Sequence, residues 1–133
     1  MTIDTSAILA MLQDEPESEE FYALIQSAAR RLISAVSVLE ASIVFEGRHN
    51  EIGALGLDRL LRRIGVEIVP FDAEQLIDAR IAFRRFGKGR HRAALNFGDC
   101  AAYALSQHSG EALLFKGDDF ARTDVRNARL EAV

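Results

Sequence analysis

Five acids stand where carboxylate chemistry could be done: Asp4, Glu40, Asp99, Asp118 and Asp119. Asp4 follows the apolar start M-T-I, and Glu40 lies in S-A-V-S-V-L-E-A. Asp99 lies in L-N-F-G-D-C-A-A-Y-A-L, and the last two acids follow A-L-L-F-K-G. Singly, each has a structural use. Asp4 can cap a first helix, and Glu40 can complete a capping box opened by Ser37. Asp99 sits near the positive end of a helix dipole, and G-D-D-F reads as a turn or short helix start. Gathered at one place they would repel, and some would hold a proton at neutral pH. A divalent cation relieves that conflict. Oxygen ligands of this kind suit Mg²⁺ or Mn²⁺, which keep several waters and can activate water for phosphodiester cleavage.

The elements that must position these acids follow from periodicity and breakers. Residues 1–4 read as a short strand and Thr5 starts a helix, with Pro16 as the next break. A second helix follows, with Phe21, Leu24, Ile25 and Ala28 at helical spacing. R-L-I-S-A, residues 31–35, reads as a second strand. A helix is predicted from Ser37 to Arg48, with Ser37 at N-cap and Glu40 at N3, and another from about Ala54 to Arg63. V-E-I-V-P is a third strand, stopped by Pro70. Asp72 caps the next helix, with Gln75 at its capping-box position, and G-K-G-R-H-R is a loop. Asn96 caps the helix that carries Asp99 at N3. A-L-L-F, residues 112–115, is a fourth strand, and L-E-A-V at the end a fifth, edge strand. Strands alternating with helices imply an α/β fold with a mostly parallel sheet. Sites in such sheets collect at the carboxyl ends of the strands. Asp4, Glu40, Asp118 and Asp119 fall at that edge, and Asp99 joins them if its helix runs antiparallel to the fourth strand.

The length of 133 residues fits one domain. No run approaches the roughly 20 apolar residues that span a bilayer. The N-terminus lacks the basic start of a secretory signal, and Cys100, the only cysteine, excludes an internal disulfide. Cys100 reads as a small core residue. These features favour a cytoplasmic protein without membrane attachment. The net charge of −4 argues against a uniformly basic nucleic-acid binder. A local patch exists all the same. No acid lies between Ala79 and Gly98, whereas Arg80, Arg84, Arg85, Lys88, Arg90 and Arg92 all do. Cations beside an acidic metal centre suit a polyanionic substrate. His49, His91 and His108 show no zinc-ligand spacing with the cysteine, and the chain has neither a Gly-x-Ser-x-Gly elbow nor a P-loop.

Four segments carry a family resemblance: M-T-I-D-T-S-A-I-L-A, S-A-V-S-V-L-E-A, L-N-F-G-D-C-A-A-Y-A-L and L-L-F-K-G-D-D-F-A-R-T-D. In that order, over almost the whole chain, they resemble the PIN-domain ribonucleases and, more narrowly, the VapC toxins of bacterial toxin–antitoxin pairs. The resemblance implies a PIN-like three-layer α/β/α sandwich. It implies a Mg²⁺- or Mn²⁺-dependent endoribonuclease acting as a toxin, an RNA substrate, a cognate VapB-type antitoxin and a homodimer. Carried over by motif, Asp4, Glu40 and Asp99 match the core acids. Asp119 is the better match for the fourth acid and Asp118 an extra. Ser6 matches a hydroxyl residue that supports the metal site. R-F-G-K-G-R-H matches a loop of the subgroup, for which an RNA-contact role is expected; within the basic stretch that contains it, Arg84, Arg85, Lys88, Arg90 and Arg92 are the candidate RNA-binding residues. Phe21, Tyr22, Ile43, Val44, Phe45, Leu57 and Leu61 exceed what one sheet face needs and are candidates for the dimer interface. Two other readings compete. One is a structure-specific DNA nuclease of related fold. The other is a receiver-like regulatory domain using Lys116, although Thr5 and Ser6 stand where its second acid would be expected.

Overall fold

The computed structural model describes residues 1–131. In chain order it contains β1 (Thr2–Ile3), α1 (Thr5–Leu12), α2 (Ser18–Ser27), β2 (Leu32–Ser34) and α3 (Ala35–Ile64). There follow β3 (Glu67–Val69), α4 (Ala73–Phe86), α5 (Phe97–Ser109), β4 (Leu113–Leu114), a 3-10 turn (Phe120–Arg122) and α6 (Ala128–Glu131). The four strands form one sheet in the order β3-β2-β1-β4, and every pair is parallel. Thr2 stands opposite both Leu32 and Leu113.

Alternate strand residues face opposite sides of a sheet, and here both sides are covered. Ile3, Ile33 and Leu114 join a core with α1, α2 and the α3 residues Leu57, Leu60, Leu61 and Ile64. Leu113 and Phe115 join a second core with Ala79, Ala82 and Phe86 of α4 and Ala102 and Tyr103 of α5. This is the three-layer α/β/α arrangement. The small residues of α5 explain its close seat on the sheet: Cys100, Ala101, Ala102, Ala104 and Ser106 are all buried. The chain lays down β1, β2 and β3 outward in one direction, then returns past β1 to add β4 on its other side. Strand order therefore reverses at β1. The crevice where such sheets bind ligands opens beside the carboxyl ends of β1 and β4.

Several expected boundaries move. α3 begins at Ala35, not Ser37, because β2 runs into it without a loop. Ser34 is both the last strand residue and the N-cap, accepting from the Val36 N–H at 3.2 Å. Ser37 lies buried inside the helix, and its carbonyl accepts from the Thr5 hydroxyl at 3.1 Å. Glu40 is thus past the first turn and closes no capping box. The two helices expected on either side of R-H-N meet at Asn50, whose φ of 55° and ψ of −139° break the helix. The second segment turns back on the first, and a Cβ on Gly53 would stand 2.9 Å from the Phe45 carbonyl oxygen. The Gln75 side chain does not reach back to Asp72; it donates to the Pro70 carbonyl at 3.0 Å. The expected fifth strand is not formed at Leu130 and Glu131, which belong to α6. Asn127 caps that turn, accepting from the Arg129 N–H at 2.9 Å, and its backbone makes only an isolated bridge to Leu113. Ala132 and Val133 lie outside the described residues.

Candidate active site

Asp4 is where β1 hands over to α1. Its Oδ2 accepts from the Ser6 N–H at 2.9 Å and from the Ser6 hydroxyl at 2.6 Å. The Ser6 oxygen in turn accepts from the Lys116 N–H at 2.9 Å. One hydroxyl therefore joins the end of β1 to the segment leaving β4. The other carboxylate oxygen, Oδ1, is buried without a partner. Burial raises the Asp4 pKa to about 6; the Ser6 hydrogen bonds oppose the rise and the charge of Glu40 adds to it.

Asp99 is placed by a reciprocal cap. The Asn96 side chain accepts from the Asp99 N–H at 2.9 Å, and Asp99 Oδ2 accepts from the Asn96 N–H at 3.0 Å. Asn96 as N-cap and Asp99 at N3 are the positions expected from sequence; the return bond from the Asp99 side chain is added by the fold. The carboxyl is nonetheless raised to about 7, first by desolvation and then by the charges of Asp4, Glu40 and Asp119. Those charges identify the neighbours: three acids from three other parts of the chain act on Asp99. Glu40 reaches the cluster from α3 because residue 98 has no side chain. A Cβ there would stand 2.6 Å from Glu40 Oε1. Asp119 opens the 3-10 turn after β4, and both it and Asp118 are exposed.

The structure thus brings Asp4, Glu40, Asp99 and Asp119 to the carboxyl end of the sheet, with Ser6 beneath them. Among the described residues, no three His, Cys, Asp or Glu side chains close into a ready-made metal cage. Asp4 and Asp99 each commit one oxygen to Ser6 or Asn96 and leave the other free. The donor set fits a cation that keeps much of its water, as Mg²⁺ does. Lys116 does not serve the acids: its ammonium pairs with Glu15 and Glu17 of the α1–α2 connection.

The basic stretch divides. Arg84, Lys88 and Arg90, with Arg80, line a groove between α4 and the start of α5. Arg85 turns elsewhere, pairing with Asp124 at 3.0 Å, and that carboxylate also accepts from the Tyr103 hydroxyl at 2.5 Å. Arg92 is exposed outside the groove lining. Two residues at the site escaped the sequence reading. Gly98 admits Glu40, and Phe97, the first residue of α5, is 82% exposed. A glycine in the first turn of an alanine-rich helix was the available signal, since helix propensity disfavours it. Of the residues expected at a dimer interface, Phe21, Leu57 and Leu61 are core. Their helices spend those side chains on the sheet. Ile43 is exposed, and so are Leu39, Ile52 and Leu55 of the same helix.

Comparison with known proteins identifies the family. The PIN domain model matches residues 1–126. VapC ribonuclease Mb0640 of Mycobacterium bovis and ribonuclease VapC30 of Mycobacterium tuberculosis are each 49% identical over 130 residues, covering 98% of this chain and 99% of theirs. Ribonuclease VapC of Mycolicibacterium smegmatis is 50% identical over 125 residues, covering 94% of this chain and 97% of its own. The crystal structure of VapC20 of Mycobacterium tuberculosis, a sarcin–ricin loop cleaving toxin, superposes with a TM-score of 0.74 over 93% of this chain and 95% of that one. Its identity is 15%, so it speaks to fold alone. The receiver-like reading is thereby set aside: this chain belongs to the PIN-domain family and, within it, to the VapC ribonucleases.

Proposed function

We propose that the chain acts as a single nuclease domain that cuts RNA in the cytoplasm at the cluster of Asp4, Glu40, Asp99 and Asp119, with Mg²⁺ or Mn²⁺ as cofactor. The observation that carries this is Asp4 Oδ1, a buried carboxylate oxygen without a partner, amid acids whose charges act on one another. A buried acceptor left unpaired is costly unless something else occupies it. When bound, the cation supplies charge neutralisation and a Lewis acid for phosphodiester hydrolysis.

The protein's own parts have separable tasks. Asp4 and Asp99 would hold the cation through their free oxygens, each oriented by the hydrogen bond its other oxygen accepts. Glu40, half-buried against Gly98, would orient the attacking water or accept its proton. Asp119, exposed at the rim, would complete the set, with Asp118 beside it as an extra. Ser6 holds Asp4 and the β4 exit in register. Arg84, Lys88 and Arg90 would bring the RNA phosphates toward a negative centre.

The partners follow from kinship and surface. VapC relatives suggest a VapB-type antitoxin, and the exposed Leu39, Ile43, Ile52 and Leu55 of α3 supply apolar surface for a homodimer. No helix among the described residues is long and apolar enough to cross a membrane. Purified protein is expected to cleave RNA with Mg²⁺ or Mn²⁺ and to stop in EDTA. Matched DNA should survive the same conditions. Robust cleavage in EDTA, or preference for the DNA, would overturn the reading.

A further inference from the structure

We propose that the groove between α4 and the start of α5 receives one nucleotide of a single-stranded RNA beside the bond to be cut, its base stacked on Phe97 and its phosphates on Arg84, Lys88 and Arg90. The inference rests on the ribonuclease reading above and specifies how substrate is held there.

The groove encloses about 710 Å³, within the roughly 300–1,000 Å³ typical of ligand clefts. Three of its large apolar side chains are exposed. Phe97 is 82% exposed, Leu76 46% and Phe83 42%. A lone exposed phenylalanine is ordinary. Two exposed phenylalanines and an exposed leucine lining one concavity form a platform. Four cations line the same concavity, Arg80, Arg84, Lys88 and Arg90, and no acid does. In a chain of net charge −4, that is a local inversion of sign. The Arg90 guanidinium lies over the Phe83 ring, 5.0 Å from its centroid, which keeps it along the groove.

Aromatic faces for bases and cations for the backbone are the two components of single-strand recognition. Position completes the case. Asn96 lines this groove and also exchanges hydrogen bonds with Asp99. A base seated on Phe97 therefore lies next to the acid cluster, and the neighbouring phosphodiester can reach it. An anionic, planar, flexible ligand fits every feature. The chain could then discriminate among RNA sequences by the stacking strength of one base.

The test uses Asp99→Asn protein, which leaves RNA intact, and oligonucleotides carrying one abasic nucleotide at successive positions around the cleaved bond. One abasic position next to that bond should lower affinity by about tenfold, the scale of losing one stacked base. Phe97→Ala should lower affinity for the intact strand by a similar factor and cause no further loss with that abasic strand. Phe97→Trp should restore binding to the intact strand. Independent effects of Phe97→Ala and the abasic position, or no effect of either, would overturn the assignment. So would a Phe97→Ala phenotype confined to self-association or to antitoxin binding, which would make the groove a dock for protein. If Phe97→Ala in the otherwise native chain cuts with unchanged KM and unchanged sites, the groove assignment alone falls. If the native chain shows no metal-dependent cleavage, the parent reading falls with it.

Discussion

Gly98 of α5 and Glu40 of α3 occupy one space: a Cβ on residue 98 would stand 2.6 Å from Glu40 Oε1. That distance is far inside van der Waals contact, so the missing side chain at Gly98 is what lets α3 deliver its carboxylate to Asp4 and Asp99. Gly98→Ala is expected to push Glu40 out of the cluster. Alanine is favoured over glycine in a helix by up to about 1 kcal/mol, and the side chain that must yield is flexible. Cleavage should therefore fall by at least tenfold while the melting temperature stays level or rises. Single-turnover cleavage beside a thermal melt reads both, and full activity in the variant would show that Glu40 is not needed where it sits.

Asp99→Asn separates chemistry from capping. Asn96 caps the Asp99 N–H, and the Asp99 side chain returns one bond to the Asn96 N–H. Asparagine keeps an acceptor for that bond and removes a charge that Asp4, Glu40 and Asp119 oppose. Cleavage should be lost and the melting temperature should hold within a few degrees or rise in metal-free buffer. An unfolded variant would mean that the negative charge serves the helix dipole.

The raised acids make metal-free stability depend on pH. Burial raises Asp4 to about 6 and Asp99 to about 7 in the fold, against about 3.9 for a free aspartate. Across that window the folded protein holds protons that the unfolded chain has released. Stability from these two groups is therefore full below about pH 4 and is lost as pH rises toward 7. Glu17, Glu111 and Asp124 are shifted downward and work in the opposite sense, but below the usual carboxylate range. In EDTA, the urea midpoint should be lower near about pH 8 than near about pH 5, and Mg²⁺ should narrow the gap. A midpoint that rises over this interval in EDTA would contradict the assignment.

Neighbouring arginines should behave differently. Replacing Lys88 and Arg90 with alanine removes two candidate phosphate contacts, so the log–log salt slope for single-stranded RNA should flatten by up to about 1.4. Arg85→Ala should leave RNA affinity unchanged, because Arg85 is spent on Asp124. Both partners of that pair are about half exposed (52% and 47%), so its loss should lower stability by about 1 kcal/mol at most. Equal effects on RNA from the two replacements would mean that the patch acts as diffuse charge.

Local chemistry was legible from the chain because it is written in adjacent residues. Asn96 caps α5 with Asp99 at N3, Asp72 caps α4, and Asp4 marks the strand-to-helix junction, as their types and spacing imply. The alternation of strands and helices gave the sheet class, and the four acidic motifs gave the family. Local signals misplaced the start of α3. Ser37 has the better capping-box spacing, yet Ser34 caps α3, because pairing of β2 with both β1 and β3 sets where the strand ends. Arg84 and Arg85 are one residue apart, but a helix turns by about 100° per residue. One therefore lines the groove and the other meets Asp124. Ser6 and Lys116 lie 110 residues apart, and Glu40 and Gly98 come from different helices. Those meetings depend on the order β3-β2-β1-β4, which sets β4 beside β1. Strand order is chosen by which apolar faces pack together over the whole chain, and no short stretch of sequence contains that sum.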